Sequence, residues 1–149
     1  MAEETDGIEF KRIDDKEERI EETLDLLHNY LREYISRGTL KSDIEYCFKK
    51  GRAFAALDED KIIGAVVGVD TPFFDKFHIG HIAVKEKYQG RGIGSTLIEK
   101  IIPEDSGASV HLNVDNPKIE RFYKRLDFVE THKRFKRPSK KEENVKPSD

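Results

Sequence analysis

Cysteine is almost absent from this chain: Cys47 is the only one in 149 residues, so no internal disulfide framework can staple the fold. No apolar run approaches the length of a membrane span, and the acidic start, residues 1–6, has none of the character of a signal peptide. A cytoplasmic protein with no membrane partner is the expectation. Internal repeats are lacking as well. There is also no basic run interleaved with aromatics, and the net charge is −3, which argues against nucleic acid as a partner. What remains is 36% apolar and 38% charged residues, enough to bury a core beneath a densely charged surface. Cys47 itself lies in a helical pattern and reads as a small buried apolar residue rather than a nucleophile.

The charge is unevenly spread. Residues 1–75 carry 11 Lys/Arg against 19 Asp/Glu, a balance of −8, whereas residues 76–137 carry 13 against 8, a balance of +5. An anionic ligand is therefore expected in the second part.

The apolar pattern predicts a first strand over residues 7–13, then a long helix opened by Asp14 and Asp15 and running to Arg37. Ile20, Leu24, Leu27, Leu31 and Ile35 form one face of that helix, and Gly38 is its expected stop. A shorter helix follows over 40–50, with Ile44, Cys47 and Phe48 inward and Gly51 as its end. Strands at 53–57 and 62–69, joined by a polar turn, predict an antiparallel hairpin. A strand at 77–84, a helix ending at Ile102, a strand at 109–114, a helix capped by Asn116 with Pro117 next, and a last strand at 128–135 complete the series. In the last helix Ile119, Phe122 and Leu126 are assigned to the core face. The order β-α-α-β-β-β-α-β-α-β implies an α/β fold with a single mixed sheet flanked by helices on both faces. Residues 7–135 form the expected domain, preceded by a flexible N-terminus at 1–6 and followed by a polar, disordered tail at 136–149.

The most informative stretch runs from His78 to Ile102. It is a strand, a turn with glycines at 90, 92 and 94, and an amphipathic helix. A helix start exposes N–H groups without partners and carries partial positive charge, so bare backbone there makes a seat for phosphate. The nucleotide P-loop requires a lysine after its last glycine, but Gly94 is followed by Ser95-Thr96. The dinucleotide fingerprint requires G-x-G-x-x-G in a parallel series, and this turn is G-x-G-x-G after a hairpin.

Gln89-Gly90-Arg91-Gly92-Ile93-Gly94 instead resembles the Q/R-x-x-G-x-G/A signature of the GNAT superfamily of acyl-coenzyme A-dependent N-acyltransferases. Ile82-Ala83-Val84 and Tyr88 match the strand that leads into it, and the stretch from Asn116 through Phe122-Tyr123 to Phe128 resembles the family's second hallmark. The resemblance spans residues 7–135. It implies a GNAT-like fold whose strands at 82–84 and 109–114 are parallel and splay apart. It also implies acetyl-CoA as co-substrate. The backbone of Ile82 and Val84, with Ala83 between them, would accompany the pantetheine arm. Gln89 and the amides of Gly90, Arg91, Gly92, Ile93, Gly94 and Ser95 would hold the pyrophosphate, and Asn116 would line the arm.

Acyl transfer to an amine requires loss of a proton from the ammonium, a donor for the oxyanion, and a proton for the departing thiolate. The resemblance gives the oxyanion to a backbone N–H near Ile82. Tyr123 is the expected acid, placed to touch the sulfur. Relatives often carry a carboxylate base on one of the splayed strands. Here His81 occupies the earlier strand, on the same face as Ala83, and His111 and Asn113 occupy the later one. His81 acting directly or through a water is one route, and His111 or Asn113 positioning a water is the other. No metal is expected: His78 and His81 should face opposite ways, and His28 and His132 belong to other elements. Asp127 replaces the family's usual glycine before Phe128, at a site expected to have left-handed backbone. The resulting expectation is transfer of acetyl to a primary amine of a small molecule or peptide, with a non-catalytic acyl-CoA-binding module as the alternative. A homodimer is an assembly open to it. The acidic first half, with Asp70 and Asp75, favours a cationic acceptor.

Overall fold

The computed structural model describes residues 7–71, 76–102, 109–112, 119–131 and 137. Two compact units are distinguished, residues 1–113 and 114–149. In the first, strand β1 (Ile8–Arg12), helices α1 (Glu17–Leu31) and α2 (Arg37–Lys50), and strands β2 (Gly51–Asp58), β3 (Lys61–Thr71) and β4 (Lys76–Val84) precede α3 (Ile93–Ile101) and β5 (Ser109–His111). The second contains α4 (Glu120–Arg125). The sheet order is β1-β2-β3-β4-β5. The first four strands pair antiparallel, and β5 joins β4 in parallel after the crossover through α3. The mixed sheet of the sequence analysis is therefore present.

Helices cover both faces. Leu26 of α1 and Cys47 of α2 pack with Ala53, Ala55, Leu57, Ile62, Ala65 and Val67, which alternate along β2 and β3. Small alanines on that face let the helices lie close. The opposite face receives α3: a methyl group added at Gly64 would stand 3.2 Å from Leu97 Cδ1. Phe77, Leu97, Ile98 and Ile101 are fully buried. Side chains of this size contribute about 1.5–3 kcal/mol each on burial. The β2–β3 hairpin closes through Glu59 (φ 50°) and Asp60 (φ 67°), the paired left-handed residues of a two-residue turn.

Several boundaries differ from the sequence pattern, each for a physical reason. Helix α1 stops at Leu31 rather than Arg37, because Ser36 starts a new helix by accepting the Thr39 amide on its Oγ at 3.2 Å. Gly38 then falls inside the first turn of α2 and stops nothing. Neither Asp14 nor Asp15 caps α1. Its cap is Lys16, whose amide is held by Asp14 at 3.2 Å. Ile119 is not a core residue but is 42% exposed, since α4 begins only at Glu120, and the buried position passes to Tyr123. Phe122 and Leu126 are only partly buried. Residues 128–131 form no strand, and 132–136, like the 1–6 segment and the 138–149 tail, lie outside the described residues. Asp127 has the expected left-handed backbone, φ 68°.

The histidine geometry is corrected by a bulge. Across β3 and β4, Val67 pairs with His81 but Gly68 pairs with Ile79, so Gly80 is an extra residue. Val69 pairs with His78, and directly opposed residues share a face. His78 and His81 therefore lie on the same face, toward α1 and α2, instead of opposite ones. Even so, no group of three metal-ligating side chains occurs among the described residues.

Candidate active site

The site is built on the far end of β4. Among the described residues, pairing between β4 and β5 ends at His78 with His111, while β4 continues to Val84 along β3. The Lys85 amide donates to Ile63 O at 2.8 Å, and antiparallel alternation then turns the peptide groups of Ala83 and His81 toward β3. Those of Ile82 and Val84 point the other way, away from β3. Ala83 packs its methyl group against the Leu24, Leu27, Leu40 and Ile44 cluster beneath α1 and α2.

After β4 a single 3-10 turn, Glu86–Tyr88, leads into the glycine turn. Its position is fixed from three sides. Tyr30 of α1 accepts the Glu86 amide on its hydroxyl at 2.7 Å, Tyr88 donates its hydroxyl to Asp58, and Gln89 Nε2 donates to Val84 O at 2.8 Å. Gln89 thus closes the turn onto the strand. Gly90 (φ 80°) and Gly92 (φ 83°) both take left-handed backbone, which is why glycine is needed there. Gly92 caps α3 without any side-chain cap, so the first amides of the helix, at Ile93, Gly94 and Ser95, are served by no capping side chain. Ile93 is buried and anchors the helix start in the core. Thr96 turns its hydroxyl back onto Gly92 O at 2.9 Å. The Arg91 guanidinium lies 5.2 Å over the Tyr88 ring and is otherwise exposed. Bare amides, a helix N-terminus and a nearby guanidinium are groups suited to an anion.

A family model described as an acetyltransferase (GNAT) domain matches residues 49–130, more than half the chain. The chain belongs to the GNAT family. It is thus an acetyltransferase that uses an acyl-CoA co-substrate, and the residues of the turn fit that group: among the described residues no atom beyond the neighbouring residues lies within 4 Å of a methyl group built on Gly90, and the α3 amides have no side-chain cap. Among solved structures, the aminoglycoside N-acetyltransferase AAC(6')-Iy in complex with CoA is similar, with a TM-score of 0.71 and 14% identity over 89% of this chain and 95% of that one. The ribosomal-protein-alanine N-acetyltransferase of Brucella melitensis biovar Abortus 2308 gives 0.71 and 17% over 89% and 99%. The aminoglycoside acetyltransferase meta-AAC0020 from an uncultured soil metagenomic sample, in complex with sisomicin, gives 0.65 and 16% over 90% and 97%. At these identities the likeness is one of fold. No curated protein sequence matches the chain.

On this GNAT sheet His81 stands beside Ile82, half-buried, on the face toward α2. Its Nε2 is 3.0 Å from Oδ2 of Asp43. Sequence reasoning missed Asp43, which is one more acid in the pattern of α2 and has no motif to mark it. Tyr123 is buried in the second unit, with its ring edge-on to Phe122 at 5.1 Å and to Phe128 at 5.8 Å. Burial pushes its phenol pKa above the ordinary value, so the hydroxyl keeps its proton at neutral pH. His111 is in β5, and Asn113 and Asn116 lie outside the described residues.

Proposed function

We propose that this GNAT protein is an N-acetyltransferase that moves the acetyl group of acetyl-CoA to a primary amine by direct attack within a ternary complex. The observation that carries this reading is His81, half-buried on β4 next to the peptide groups of Ile82 and Val84 that point away from β3. An imidazole there is a group able to take a proton from an ammonium. When bound, the co-substrate supplies a thioester carbonyl. The Ile82 amide is assigned to its developing negative charge, and Ile82 and Val84 to the pantetheine arm. Gln89 through Ser95 hold the pyrophosphate on the bare amides of the turn. Tyr123, kept protonated by burial, donates to the departing thiolate. Asn116 lines the arm. The acceptor is a cationic small molecule or peptide amine, a reading supported by the excess of acidic residues before β4. The aminoglycoside enzymes of the same fold have acceptors of this type in their names.

The test is an acetyl-CoA assay that follows free thiol across a panel of polyamines, aminoglycosides and lysyl peptides. Turnover that falls by about a hundredfold or more in His81→Ala, and by about tenfold or more in Tyr123→Phe, supports the assignment. Coenzyme A binding without turnover of any amine would instead identify a non-catalytic acyl-CoA-binding module.

A further inference from the structure

Asp43 of α2 and His81 of β4, 38 residues apart in the chain, meet at 3.0 Å where the helix crosses the sheet. Ile44 and Cys47, next to Asp43 and one turn on from it, are buried against the sheet, so α2 cannot rotate Asp43 away. His81 is the more enclosed partner, its side chain 19% exposed against 46% for Asp43. Val67, directly across on β3, offers the imidazole no polar contact.

Resting on the assignment of His81 as base, we propose that Asp43 is a positioning residue that fixes which imidazole nitrogen accepts the proton. A carboxylate only accepts hydrogen bonds, so His81 must present Nε2–H to it, and neutral His81 then carries its lone pair on Nδ1. The acceptor ammonium gives a proton to Nδ1: one N–H bond breaks and one forms. The imidazolium produced is held against the Asp43 carboxylate, and the freed amine lone pair forms the new N–C bond as the thioester C–S bond breaks. The departing thiolate takes the Tyr123 proton, and the second N–H proton of the amine replaces it on the phenolate. Without Asp43 the ring is free to take the other tautomer, which has its lone pair on Nε2, and to turn about its side-chain bonds. Carboxylates that orient metal-bound histidines are worth about 10- to 100-fold in activity, and that scale is taken for Asp43.

The experiment uses the full chain labelled with 15N-histidine, with the His81 signals assigned by their loss in His81→Ala. Long-range proton–nitrogen correlation spectra are expected to show His81 as the Nε2–H tautomer in the unmodified protein and as a mixture in Asp43→Ala. In the same variant kcat is expected to fall about 10- to 100-fold with the KM for acetyl-CoA unchanged, and Asp43→Glu is expected to recover part of the loss. Thermal melts confirm that each variant is folded. An Nδ1–H tautomer in the unmodified protein overturns the proposal. So does wild-type kcat in Asp43→Ala when His81→Ala is inactive, and this leaves the base assignment standing. Full turnover in His81→Ala removes the base assignment itself and the proposal with it, even where the spectra show the paired tautomer.

Discussion

The hydroxyl of Tyr88 is donated to the carboxylate of Asp58, which ties the glycine turn to the end of β2, 30 residues earlier in the chain. The bond also sets the ring on which the Arg91 guanidinium rests, at 5.2 Å, and over which Lys87 Nζ lies at 5.5 Å. One contact thus arranges two cations beside the proposed pyrophosphate site. It raises the Tyr88 pKa, chiefly through the hydrogen bond to Asp58, so the phenol stays neutral and the turn keeps this arrangement through moderately alkaline pH. Tyr88→Phe removes the bond and retains the ring. Its expected effect is an increase of about three- to tenfold in the Kd for coenzyme A, the scale of one ordinary hydrogen bond, with little change in melting temperature. Calorimetric titration with coenzyme A checks it, and an unchanged Kd would show that Asp58 has no part in shaping the turn.

Glycines in this chain serve two separable purposes, and alanine substitution distinguishes them. At Gly51 a methyl group would stand 2.0 Å from Gly68 O, and at Gly68 it would stand 2.7 Å from Phe77 Cζ and 2.8 Å from His78 O. Backbone cannot yield as a flexible side chain does, so Gly51→Ala and Gly68→Ala should each cost about 1–3 kcal/mol in chemical denaturation. Gly90→Ala meets no described atom within 4 Å outside its chain neighbours, so its cost is that of its left-handed backbone, about 1 kcal/mol. It should therefore fold nearly as well as the parent while binding coenzyme A more weakly.

Cys47 is expected to be silent to thiol reagents. Burial first, and the charge of Asp43 second, push its pKa from the ordinary 9.0 up to about 12. The thiolate is the reactive form, so the folded protein should resist alkylation at pH 8 and react stoichiometrically once unfolded. The same shift sets a stability trend. The contribution is fully present below about pH 9, where the thiol is protonated in both states. It declines as pH rises toward about 12, because the unfolded chain ionises first. Rapid alkylation of the folded protein at pH 8 would contradict this account.

What the sequence made legible was local. The glycine turn carries its chemistry within a few residues, Gln89 to Gly94, and the left-handed backbone at Gly90 and Gly92 is what glycine is for. The hairpin was legible from two apolar runs and the polar turn between them. Three features were not, each because it depends on something the local pattern does not contain. An isolated glycine within a strand, Gly80, has several readings, and only cross-strand register shows it to be the bulged residue that brings His78 to the face of His81. Ser36 and Gly38 compete to punctuate the same stretch, and the outcome turns on one side-chain bond to Thr39. The approach of Asp43 to His81 depends on where α2 lies across β4, which no spacing within either element encodes.

The end of α4 offers a gain rather than a loss. Leu126 closes the helix, Asp127 follows at φ 68°, and two reversed bonds complete the cap: the Asp127 amide to Lys124 O at 3.1 Å and the Phe128 amide to Tyr123 O at 3.1 Å. The second bond holds Phe128 against the Tyr123 ring, so the cap helps to orient the proposed proton donor. Aspartate tolerates left-handed backbone better than most residues, but glycine adopts it without steric cost. Asp127→Gly should therefore stabilise the cap by about 0.5–1 kcal/mol, and Asp127→Val, with a branch at Cβ, should weaken it by at least as much. Hydrogen exchange at the Phe128 amide reads the cap directly: protection should rise in the glycine variant and fall in the valine variant. If the two variants exchange alike, the left-handed residue is not what holds this end of the helix.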